Sequence, residues 1–243
     1  MKRIAPGPLL LQCLGISLVV AWASVAMSAS TTPLLEAVNT DDPTRVNQLL
    51  KEGADPNQPS ESGILPLVLA AWKGSPEILE LLIAHGADVH LEGVGGSTAL
   101  VWASGGGNLD CVEPLLRSGA DSNARGDIGL EDPELPGSRG EFAGMTALMW
   151  AARGGHASIV ELLISHGAEV NARTFHSDLH ALWFATFNGR VEVVRLLLSN
   201  SSDYQAVMRS ISKARDTNQE IWKLLRAAKK TAPDRTEPKR EGP

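Results

Sequence analysis

The chain has 243 residues, 43% of them hydrophobic and 21% charged, proportions that exclude wholesale disorder and allow one or two domains. A net charge of −6 argues against a broadly basic nucleic-acid surface. Two cysteines, Cys13 and Cys111, are too few for a disulfide scaffold or a cysteine-based zinc finger.

Residues 1–29 carry the order of a secretory signal peptide. Lys2 and Arg3 form a positive start, an apolar run extends from Leu9 to about Trp22, and small residues follow through Ala29. Cleavage after Ala26 or Ala29 fits this order. The rival is an uncleaved membrane anchor over 9–29, just long enough to span a bilayer. Removing Lys2 and Arg3 takes the charge to −8. The tail from Lys229 to Pro243 has five bases and three acids, so the part between them is about −10. Cys111 is then the only cysteine left, and no intramolecular disulfide forms.

Internal repetition dominates the rest of the chain. Gly53-Ala54-Asp55, Gly86-Ala87-Asp88, Gly119-Ala120-Asp121 and Gly167-Ala168-Glu169 stand 33, 33 and 48 residues apart. A second glycine series, Gly74, Gly107, Gly155 and Gly189, steps by 33, 48 and 34. The period is therefore 33, with a 15-residue insertion in one step and one extra residue in the last. Periods this short mean stacked units, each burying its apolar face against the next.

Four segments start the units: Leu65-Pro66-Leu67-Val68-Leu69-Ala70, Thr98-Ala99-Leu100-Val101-Trp102-Ala103, Thr146-Ala147-Leu148-Met149-Trp150-Ala151 and His180-Ala181-Leu182-Trp183-Phe184-Ala185. Over about residues 31–200 the chain resembles the ankyrin repeat family, whose first helix opens Thr-Pro-Leu-His-x-Ala. The resemblance implies an all-α solenoid of helix-turn-helix units with short hairpin loops. The family's His position holds Val68, Val101, Met149 and Trp183, so the hydrogen bonds that a His would make there are absent.

In chain order, Leu34-Leu35-Glu36-Ala37-Val38 resembles an N-terminal cap. Glu36 takes the register of Trp102 and Trp150, which requires a face open to water. Ala70, Ala103, Ala151 and Ala185 allow close helix approach. Bulky Leu69, Trp102, Trp150 and Phe184 fill the space between units. Gly53, Gly86, Gly119 and Gly167 suit left-handed helix ends, and Pro76 suits a helix start. Second helices run Ile78–Leu82, Ile159–Leu163 and Val193–Leu197, with apolar residues at helical spacing. Pro114 falls inside one of them and is expected to kink it. Cys111 aligns with Ile78 and Ile159 as a small buried residue. The insertion at 125–140 should form a long finger, with an acidic tip at Glu131, Asp132 and Glu134. Asn218–Leu225 echoes a second helix and belongs to a degenerate last unit. The expected organisation is a signal or anchor at 1–29, one solenoid of about six units at 30–229, and a disordered charged tail at 230–243.

No nucleophile elbow, phosphate loop or zinc-peptidase helix is present, and Gly105-Gly106-Gly107 is a repeat turn without a following Lys-Ser/Thr. The one tight histidine cluster is His176, Asp178 and His180, which His166 could join around a metal; the plainer reading has His180 capping a helix. No enzyme, cofactor or metal is expected. Family members bind proteins through their hairpin tips and the exposed ends of first helices. Residue by residue, that implies Trp72, Lys73, Arg153, Phe187 and Asn188 at helix ends, and Ile64, Phe142, Met145 and Leu179 at tips. The partner-binding expectation concerns a monomeric, non-enzymatic protein, exported to the periplasm or secreted, like bacterial members of the family with such a leader. Its partner would be a neutral or basic protein, with no nucleic acid and no membrane beyond the leader. Two alternatives remain: an inhibitor or immunity-type partner of one enzyme or toxin, and a metal-dependent protein using His176 and His180.

Overall fold

In the computed structural model, residues 32–126, 144–175, 179–200 and 219–231 are described. Among them are eleven α-helices and one two-residue antiparallel ladder. The helices pair as α1 (Pro33–Asn39) with α2 (Pro43–Lys51), and α3 (Pro66–Lys73) with α4 (Pro76–Ala84). Next come α5 (Ala99–Gly106) with α6 (Leu109–Arg117), α7 (Ala147–Gly154) with α8 (Ala157–Ser165), and α9 (Ala181–Phe187) with α10 (Val191–Ser199). A last helix, α11 (Gln219–Thr231), packs on α10. First helices stack on first helices and second helices on second helices. The first layer is the more closely packed, so the stack bends with α1, α3, α5, α7 and α9 on its inner side.

Local chemistry explains where the helices start and stop. Prolines open four of them, Pro33, Pro43, Pro66 and Pro76, where a missing N–H leaves nothing unsatisfied. First helices α3, α5 and α7 end at Gly74, Gly107 and Gly155, all left-handed with φ of 72°, 79° and 87°. In the first unit Asp41 holds the corresponding place with φ 56°, a conformation that Asp tolerates better than most residues. Its carboxylate accepts a 2.5 Å hydrogen bond from the Ser75 hydroxyl of the next unit.

The core is one continuous cluster. Ala70, Ala103, Ala151 and Ala185 have no exposed surface, and Leu69, Trp102, Trp150 and Phe184 are all buried between units, as their register required. Glu36, at the same register in the terminal unit, is exposed. At the other end Ile221 and Leu225 of α11 are fully buried, and Glu220 pairs with Arg195 of α10. Helix α6 runs from Leu109 to Arg117 through Pro114 without a break, contrary to the expected interruption. Its apolar face, with Cys111, Val112 and Leu115 fully buried, holds the segment helical despite one lost donor. Burial, and secondarily Asp110, push the Cys111 thiol up to about 11. The group is therefore a protonated packing residue rather than a nucleophile.

Candidate functional site: the inner face and its helix ends

First helices are buried over their opening residues and surface mainly at their C-terminal ends. There the expected candidates are found: Trp72 half-buried, Lys73 exposed, Arg153 half-buried, Phe187 65% exposed and Asn188 half-buried. Each is fixed by its own unit. Phe187 stacks on Trp183 with centroids 4.9 Å apart and rings 8° from parallel, and Trp183 meets Phe184 edge-on at 5.2 Å. The Arg153 guanidinium lies over the Trp150 ring at 5.5 Å. Asn188 donates from Nδ2 to the Phe184 carbonyl at 2.8 Å.

Tip positions behave differently. Hairpins close by backbone bonds from Ser60 N–H to Ile64 O, Gly93 N–H to Ser97 O and Thr174 N–H to Leu179 O. Ile64 and Leu179 are half-buried against the core. Met145 has no exposed surface at all and is not available to a partner. It lies in β2 (Met145–Thr146), paired with β1 (Arg125–Gly126), and this pairing holds its side chain in the core. Phe142, His176 and Asp178 lie outside the described residues, as do residues 127–143, the body of the finger. Its base is tied by Arg125, whose Nη1 donates to Gly144 O at 2.8 Å and Arg173 O at 2.7 Å while the guanidinium covers Phe175.

His180 starts α9 but makes no side-chain cap; its carbonyl, not its ring, accepts the first helical bonds. Side-chain caps come instead from Thr32, Asp42 and Thr146. His85 and His166 are exposed, each with Nδ1 2.9 Å from a carbonyl four residues back. No group of three or more His, Cys, Asp or Glu that could hold a metal occurs among the described residues.

The ankyrin repeats model matches residues 34–126 and 127–208, in three copies. The chain belongs to the ankyrin repeat family. Such repeats generally mediate protein–protein binding and are typically non-enzymatic. A search of curated proteins finds no match to this chain. No helix among the described residues is long and apolar enough to cross a membrane.

One device of this ankyrin stack was not read from sequence. The residue after each turn glycine reaches back to the preceding unit and caps its first helix. Asn108 donates from Nδ2 to the carbonyls of Ala71 at 2.8 Å and Trp72 at 3.1 Å. His156 bonds to the backbone of Gly105, and Arg190 donates from Nε to Arg153 O at 3.1 Å. These bonds satisfy carbonyls that a helix end leaves open, at the helix ends that carry Trp72 and Arg153. At the opposite turns Asn57 and Asn123 do similar work: each donates to the glycine carbonyl of the next Gly-Ala pair and accepts from the following acidic residue's N–H. The available signal was a polar residue at every post-glycine position.

His156 sits against Gly107 and Gly154, and burial holds its pKa below the ordinary value, with the neighbouring Arg190 charge adding to the effect. The folded chain thus refuses a proton that the unfolded chain accepts near pH 6.5. The expected result is a melting temperature that falls as pH drops below about 6.5. His156→Gln, which can still donate to Gly105, should flatten that slope. Melts of both proteins between pH 7.5 and 5.5 decide it; equal slopes would remove His156 as the cause.

Proposed function

We propose that this chain is a non-enzymatic module, exported through residues 1–29, that captures a partner protein on its inner face. The observation that carries the reading is the row of helix ends. Trp72, Lys73, Arg153, Phe187 and Asn188 present an indole, cations and an exposed ring from one side of the stack, each held in place by its own unit. Aromatic and Arg side chains of this kind dominate interface energies, and pre-ordering them lowers the entropic cost of association. Residues 1–29 supply the leader, with small residues at Ala26 and Ala29 for cleavage, and the periplasm or the outside of the cell as destination.

The test expresses the full chain in an exporting bacterium and compares it with the triple variant Trp72→Ala, Arg153→Ala, Phe187→Ala. Proteins crosslinked in the envelope to the native chain should be lost from the variant, at unchanged melting temperature. An identical crosslinked set would overturn the inner-face reading. The intact mass of the envelope fraction should correspond to loss of residues through Ala26 or Ala29; a full-length mass would overturn the cleaved leader.

A further inference from the structure

Two features of the surface run along the stack instead of across it. The first is charge. Residues 32–126 hold thirteen acids and five bases, whereas residues 144–200 hold four of each. The hairpin loops repeat this gradient. The first two carry Glu61 and Glu92, both exposed, and the later two begin at Arg125 and Arg173, both half-buried. The second feature is aromatic. Phe187 and Phe175, at 65% and 64% exposed, are the most exposed large hydrophobic residues described, and both belong to the last complete unit. At the register of Trp183 the earlier units hold Val68, Val101 and Met149, all buried. Among the described units only the last complete one turns an aromatic platform outward, Phe187 laid flat on Trp183.

We infer that the inner face takes an extended segment of a partner protein in one fixed orientation, a basic end over the first two hairpins and a bulky apolar side chain on the Trp183–Phe187 platform. This rests on the partner-binding reading above and names the partner's chemistry. Coulomb attraction selects Lys or Arg at the acidic end and lowers their cost of leaving water. At the platform the choice reverses. Arg153 and Arg190 belong to the neighbouring helix ends, so a second cation there meets like charge, while an apolar side chain buries Phe187. From the second unit to the fifth is three helix-to-helix steps of about 9 Å, which an extended dodecapeptide of about 40 Å covers.

A random dodecapeptide library selected on the immobilised full chain tests this. Enriched peptides should carry a basic cluster at one end and a bulky apolar residue at the other. A synthetic peptide of the consensus should bind Phe187→Ala roughly thirtyfold more weakly, as loss of an aromatic anchor does. The double variant Glu61→Lys, Glu92→Lys should bind it about tenfold more weakly at low salt, with the difference shrinking at 0.5 M salt. All three side chains are exposed, so unchanged melting temperatures separate recognition from folding. Enriched peptides without segregated charge, or equal binding to Phe187→Ala, would overturn the orientation and leave the inner-face reading standing. No enrichment over a blank surface would overturn both.

Discussion

Phe184→Ala should destabilise the chain by about 3–5 kcal/mol, the range for deleting a buried aromatic ring. Phe184 is 1% exposed, and it sits in the inter-unit register shared with Leu69, Trp102 and Trp150. Its ring supports Trp183 edge-on, and Trp183 supports Phe187, so the cavity undermines the aromatic platform as well as the core. The loss should concentrate at the C-terminal end, because each unit of a solenoid touches only its neighbours. Amide hydrogen exchange is the discriminating measurement. Protection should fall in α9, α10 and α11 and persist in α3 and α4. Uniform loss along the chain would show that the stack behaves as one cooperative block.

Gly107→Ala should cost about 3 kcal/mol, and Gly119→Ala only about 1–2 kcal/mol, although both glycines are left-handed. Their φ values, 79° and 87°, impose nearly the same backbone penalty on an L side chain. The difference lies in the surroundings. A Cβ on Gly119 meets nothing within 4 Å, whereas a Cβ on Gly107 lands in the imidazole of His156. The ring must then leave, and its bond to Gly105 goes with it. Urea midpoints of the two variants measure the gap. Equal midpoints would mean that the ring moves freely and that the backbone capping contributes nothing.

Much of this fold was legible because its determinants are local and repeated. The Gly-Ala-Asp turns and the 33-residue step recur along the chain, and each copy corroborates the next. Leu69, Trp102, Trp150 and Phe184 could be placed by register alone, and Glu36 marked an open end for the same reason. Met145 shows where register stopped being enough. It shares its register with Ile64 and Leu179, yet pairing of β2 with β1 buries it fully. Pro114 shows the converse: a breaker by local rules stays inside an unbroken helix because Cys111, Val112 and Leu115 are buried around it.

The candidate site divides in the same way. Trp72, Arg153 and Phe187 were found by alignment of one unit with the next. The capping series Asn108, His156 and Arg190 was not, because its acceptors lie in the preceding unit. Asn108 bonds a residue 37 positions away, and Arg190 one 37 positions away also. No local propensity carries such a preference; it exists only once two units are stacked.

By itself, then, the sequence determined the period, the helix boundaries and the residues at the helix ends, since these arise from turn chemistry and from apolar spacing within one unit. The tertiary structure decided which of those residues reach solvent, which carbonyls are capped from the next unit, and that Phe187 lies flat on Trp183. Those outcomes depend on contacts between units, where burial and hydrogen bonding are settled by neighbours that no single repeat contains.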